Sequence, residues 1–94
     1  MSVVIVGGNE CMRGRYRDLC RTYNCKARVY AKMDDGLADI GRPDLLVLFT
    51  STVSHTMIRR ALSSARGRDV RVVRSHVASV SALRSILEEH VPKA

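Results

Sequence analysis

The chain has 94 residues, 46% apolar and only 4% aromatic, and its 16 Lys and Arg against 9 Asp and Glu give a net charge of +7. That length holds one core, mostly aliphatic here, without obligatory disulfides, and the apolar fraction excludes a disordered polymer. The charge suits nucleic acid, anionic lipid or an anionic cofactor and separates none of them, while no apolar run approaches the roughly 20 residues of a membrane span.

Met1 passes directly into Val3-Val4-Ile5-Val6, a short apolar run without the basic and small-residue flanks of a secretory signal. The expectation is therefore a single cytoplasmic domain over residues 1–94, with no membrane attachment. The run reads as a buried strand, and Gly7-Gly8-Asn9 as the tight turn that ends it. Met12, Tyr16, Leu19, Cys20 and Tyr23 then recur at helical spacing, with Arg13, Arg15, Arg17, Asp18 and Arg21 on the other face. This is an amphipathic helix packed on a sheet, started by Asn9 or Glu10 and stopped by Asn24.

Residues 26–31 alternate, with Ala27, Val29 and Ala31 on one side, and predict a second, more exposed strand. Asp34-Asp35-Gly36 marks a turn, after which Leu37, Ala38 and Ile40 suggest a short helical segment that Gly41-Arg42-Pro43 cuts off. Leu45-Leu46-Val47-Leu48-Phe49 is a fully apolar third strand opening abruptly onto Thr50-Ser51-Thr52-Val53-Ser54-His55. A helical stripe follows in Val53, Met57, Ile58, Ala61, Leu62 and Ala65, capped by Ser54 and ended by Gly67. Val70, Val72 and Val73 make a fourth strand that stops at Arg74-Ser75-His76. A last helix buries Val80, Leu83, Ile86 and Leu87 before Val91-Pro92.

Strands alternating with helices imply an α/β fold, a small Rossmann-like or flavodoxin-like three-layer sandwich on a four-stranded parallel sheet of order 2-1-3-4. Ligands in such sheets bind beyond the carboxyl ends of the strands where the order reverses. Gly7, Gly8 and Asn9 after the first strand, residues 50–55 after the third, and Arg74, Ser75 and His76 after the fourth should therefore share one edge.

The glycine pair permits close backbone approach, and the start of the following helix suits an anion. Yet the third glycine of a dinucleotide fingerprint, the acidic end of the second strand and a Walker-type lysine are all missing, which favours a plain turn. His55 reads either as a helix-start histidine bonded to a hydroxyl or, with His76 at the matching end of the next strand, as a metal-binding imidazole for iron or zinc. Ser51, Ser54 and Ser75 beside these histidines raise a hydrolase, against which stand the absence of a Gly-x-Ser-x-Gly elbow and of an orienting acid. Arg13 and Arg15 are either ligand-pairing cations or a solvated helix face, and Tyr16 is either a site residue or core. His90 reads as a histidine placed for the helix dipole. Cys11, Cys20 and Cys25 are odd in number and outside any Cys-x-x-Cys pair, so they read as free thiols, a zinc site lacking nearby partners.

Val3-Val4-Ile5-Val6-Gly7-Gly8 leading to Arg15-Tyr16, then Pro43-Asp44-Leu45, Phe49-Thr50, Thr52-Val53-Ser54-His55 and Ser79-x-Ser81-Ala82-Leu83 resemble the bacterial domain of unknown function 2325 family over nearly the whole chain. The Thr-Val-Ser-His element is the most specific part. The resemblance implies a small Rossmann-like, dimeric protein that binds haem b and, through it, dioxygen. It directs attention to Gly7, Gly8, Asn9, Arg13, Arg15, Tyr16, Thr50, Thr52, Ser54, His55, Arg74 and His76 as the cofactor-binding set. His55 is the preferred iron ligand, with His76 the other candidate or a distal group and Cys11 a lesser thiolate one. Val53, Met57 and Val77 would supply apolar walls and the arginines would neutralise propionates. Without Cys-x-x-Cys-His, covalent c-type attachment is not expected.

The leading expectation is thus a non-enzymatic haem b module, a homodimer that senses or carries dioxygen or another diatomic gas. The alternative is a small regulatory or nucleic-acid-associated Rossmann-like module working through its basic surface. An esterase or phosphatase built on the Ser and His cluster comes third.

Overall fold

Uninterrupted aliphatic runs can bury both their faces only at the centre of a covered sheet, and that is where Ser2–Val6 (β1) and Leu45–Phe49 (β3) lie. In the computed structural model, which describes residues 1–31, 40–66 and 69–91, every side chain from Val3 to Val6 and from Leu45 to Phe49 is fully buried. The two strands pair in parallel, with Val3 opposite Leu45 and Val6 opposite Leu48. Lys26–Tyr30 (β2) and Arg71–Ser75 (β4) flank them, giving one parallel four-stranded sheet of order β2-β1-β3-β4. The edge strands are polar or half-buried, as expected where one side of a strand has no neighbour.

Side chains alternate across a strand, so odd and even positions meet different helices. Val3, Ile5, Leu45, Val47 and Phe49 form one core with Tyr16, Leu19 and Cys20 of Arg13–Thr22 (α1) and Leu83, Ile86 and Leu87 of Val80–His90 (α3). Val4, Val6, Leu46 and Leu48 form the other with Met57, Ala61 and Ala65 of His55–Ala65 (α2) and with Ile40. The result is the expected three-layer α/β sandwich. Truncating a centre such as Leu46 to alanine would cost about 2–5 kcal/mol.

The helix ends follow their local chemistry. A 3-10 turn, Glu10–Met12, leads into α1, and the Asn9 carboxamide oxygen accepts from the Cys11 N–H. Asn24, at φ 60°, ends α1 in the left-handed region. Its N–H donates to Arg21 and that of Cys25 to Cys20, closing the orphan carbonyls as in a Schellman motif. Ser54 caps α2 by accepting from the Met57 N–H, and Ser79 caps α3 through Ala82. The turn and helical segment expected around Asp34-Asp35-Gly36, Leu37 and Ala38, the stop at Gly67, and Pro92 lie outside the described residues. Among the described residues no helix is long and apolar enough to cross a membrane.

Candidate functional site at the carboxyl edge of the sheet

Parallel strands put all their carboxyl ends on one edge, and the loops leaving β1, β3 and β4 do meet there. Three hydrogen bonds tie them together. The Gly8 N–H donates to Thr52 Oγ1 at 2.6 Å, joining the first loop to the second. The Thr50 N–H donates to the Ser75 carbonyl at 2.9 Å, joining the second to the end of β4. The Tyr16 hydroxyl donates to the Ala78 carbonyl at 2.6 Å, returning from the third loop to α1. Thr52 Oγ1 also donates to the Phe49 carbonyl at 3.0 Å, so the loop after β3 folds back on its own strand.

This bracing sorts the candidate residues. Gly7 and Gly8 stand at φ 100° and 85°, conformations that glycine takes without strain. The space above them is filled by the protein itself. A Cβ on Gly7 would lie 2.6 Å from Val53 Cγ1, and one on Gly8 2.6 Å from Tyr16 Cε2. Their amides are engaged too, that of Gly7 with the Tyr30 carbonyl at 2.9 Å and that of Gly8 with Thr52. The pair is the seat on which the second loop and Tyr16 rest. Tyr16 is fully buried against Phe49, ring centroids 5.5 Å apart, and belongs to the core. Asn9, Thr52 and Ser54 spend their side-chain oxygens on backbone amides.

Thr50, His55 and Arg74 are brought together. With Val53 and Ile58 they line a cavity of about 370 Å³ between the start of α2 and the end of β4, a volume at the lower end of small-ligand pockets. Arg74 reaches it because the parallel register sets it beside Leu48 on the α2 face of the sheet. His55, the first residue of α2, is exposed, and neither ring nitrogen has a hydrogen-bond partner among the described residues. Thr50 Oγ1 leans toward the Ser75 carbonyl at 3.4 Å. Val53 and Ile58 give the cavity apolar walls; in the sequence Ile58 belongs to the helical stripe and carries no signal of a site.

His76 is exposed in the loop after β4 and does not line this cavity. Arg13 leaves the edge altogether, its guanidinium donating to the Val29 carbonyl of β2 at 3.0 Å. Arg15 is exposed on α1. Among the described residues no three His, Cys, Asp or Glu side chains gather as a metal-holding group. The three cysteines are free, Cys11 exposed and Cys20 and Cys25 buried. Burial, with Cys25 nearby, pushes the Cys20 thiol up to about 12.

Two solved structures share this architecture. The receiver domain from the hybrid histidine kinase CckA superposes with a TM-score of 0.60 at 14% identity, covering 98% of this chain and 100% of that one. A de novo designed Rossmann fold protein gives 0.61 at 16% identity, covering 98% and 97%. At such identities the likeness establishes the fold alone. Comparison with curated proteins gave no match. A family model described as "Uncharacterized protein conserved in bacteria (DUF2325)" matches residues 2–90.

Proposed function

The chain belongs to the bacterial DUF2325 family, and on that footing we propose that it is a non-enzymatic module that binds haem b at the carboxyl edge of its sheet. The observation that carries this reading is the unpartnered imidazole of His55 in a cavity with two aliphatic side chains and a guanidinium. A haem needs these groups together: a nitrogen donor for iron, apolar walls for the macrocycle and a cation for a propionate. These residues fit such a group: His55 would ligate the iron, Val53 and Ile58 would shelter the macrocycle and Arg74 would pair with a propionate. A haem held by this imidazole would supply reversible binding of dioxygen or another diatomic gas, as a sensor or carrier requires.

A cavity of about 370 Å³ encloses only part of a porphyrin. Val72 of β4 and Val77 of the loop after it are 38% and 56% exposed, and a second copy of the chain covering them would add apolar surface to the enclosure. Ser54 Oγ accepts from the Met57 N–H and Ser75 Oγ donates to the Val77 carbonyl, and among the described residues neither is hydrogen-bonded to a histidine.

Titrating the purified protein with haemin and recording its visible spectrum, oxidised and reduced, tests the reading. A Soret band that saturates at a fixed stoichiometry and shifts on reduction is expected. A spectrum that remains the sum of free haemin and colourless protein would sink it.

A further inference from the structure

We propose that the groove between α1 and the outer edge of β2 binds the phosphodiester backbone of a nucleic acid. Two adjoining depressions, of about 460 and 310 Å³, share Arg17 and Ala27 and so form one groove along this side of the molecule. Arg13, Arg17 and Arg21 recur at four-residue spacing, which puts them on one face of α1, and Lys26 and Arg28 line the groove from β2. No acidic residue among the described ones lines it.

The guanidiniums that are anchored are anchored by carbonyls. Arg13 donates to Val29 at 3.0 Å and Arg28 to Ile40 at 2.9 Å. A carbonyl fixes a guanidinium without cancelling its charge. Arg17 and Arg21 are exposed and have no hydrogen bond or ion pair with any described residue. Cations in a linear row match a repeating anion better than a single small one. From Arg13 to Arg21 the helix advances about 12 Å, enough to face about two or three consecutive phosphates of one strand. Guanidinium forks suit phosphate oxygens. With Arg13 held across the cleft on the Val29 carbonyl while the Arg28 guanidinium turns to Ile40 on the α2 face, the row on α1 and the concavity beside it favour a strand lying there over a flat lipid surface. With Tyr30, half-buried, as its one aromatic among the lining residues, the groove has no row of stacking platforms, so contact is through the backbone and independent of sequence. The site lies along β2, at the opposite edge of the sheet from β4, and stands or falls separately from haem binding.

The test is fluorescence anisotropy of the full chain with a labelled single-stranded RNA and a labelled duplex DNA of mixed sequence, over a series of salt concentrations. Binding of at least one, with affinity falling linearly in log–log salt, is expected, and the two arms show which form carries the backbone. The double variant Arg17→Gln, Arg21→Gln, whose melting temperature serves as the folding control, should lose at least tenfold in affinity and about two from the salt slope. Arg59→Gln with Arg60→Gln, an equal charge loss on α2, should leave both unchanged. Equal losses in the two variants would reduce the effect to net charge and overturn the assignment. So would failure to bind either nucleic acid at low salt, or tighter, α1-dependent binding to phosphatidylserine vesicles.

Discussion

The hydroxyl of Tyr16, a fully buried side chain of α1, donates to the carbonyl of Ala78 in the loop after β4 at 2.6 Å. One hydrogen bond thus spans 62 residues of sequence and holds the third loop against the first helix. Because the Tyr16 ring also sits over Gly8, the same residue fixes two of the three loops that make the candidate site.

Removing only that hydroxyl should loosen the edge without emptying the core. Tyr16→Phe is expected to cost about 1–2 kcal/mol, the worth of one hydrogen bond plus a poorly satisfied carbonyl. Urea unfolding should show a lower midpoint with an unchanged m-value. An unaltered midpoint would mean that water replaces the hydroxyl at no cost.

The glycines should respond in opposite directions. Gly8→Ala puts a Cβ 2.6 Å from the Tyr16 ring at φ 85°, and both the backbone penalty and the clash act together, so a loss of about 2 kcal/mol or more is expected. Gly14, in the first turn of α1, meets nothing within 4 Å. There Gly14→Ala should stabilise by about 0.5–1 kcal/mol through helix propensity. Thermal melts of the two variants check the contrast.

The cysteines predict a selective reagent and an alkaline limit. Only Cys11 is exposed, so a thiol reagent should modify one equivalent in the native protein and three after denaturation. Burial raises Cys20 from 9.0 to about 12, and raises Cys25 as well. The folded protein therefore holds these protons at a pH where the unfolded chain releases them. Their stabilising effect is complete below pH 9 and declines as the pH climbs from 9 toward 12. The fall in urea midpoint across that window should be shallower in Cys20→Ala than in the wild type.

Much of this architecture is legible in the sequence because the signals are local. Unbroken aliphatic runs mark β1 and β3 as central strands, Asn24 tolerates the left-handed turn that ends α1, and Ser54 carries the oxygen that caps α2. The shared carboxyl edge follows from parallel topology once the elements are in order. Individual side chains are harder, because their neighbours come from elsewhere in the chain. Helical spacing turns Tyr16 inward but says nothing of Ala78. Gly-Gly announces a turn, yet what fills the space above it depends on a loop 44 residues away. Arg13 is close to the glycine loop in sequence, but the path of α1 takes its guanidinium to Val29. Ile58 gives no sign of lining a cavity rather than the core until α2 and β4 are placed together.

On the proposed reading His55 would hold haem iron at the cavity it shares with Thr50, Val53, Ile58 and Arg74. Haemin titrations of wild type, His55→Ala and His76→Ala, followed through the Soret band, test it most directly. A saturable band is expected in the wild type, lost or blue-shifted in His55→Ala and retained in His76→Ala. An identical band in wild type and His55→Ala, or none in the wild type, would contradict it.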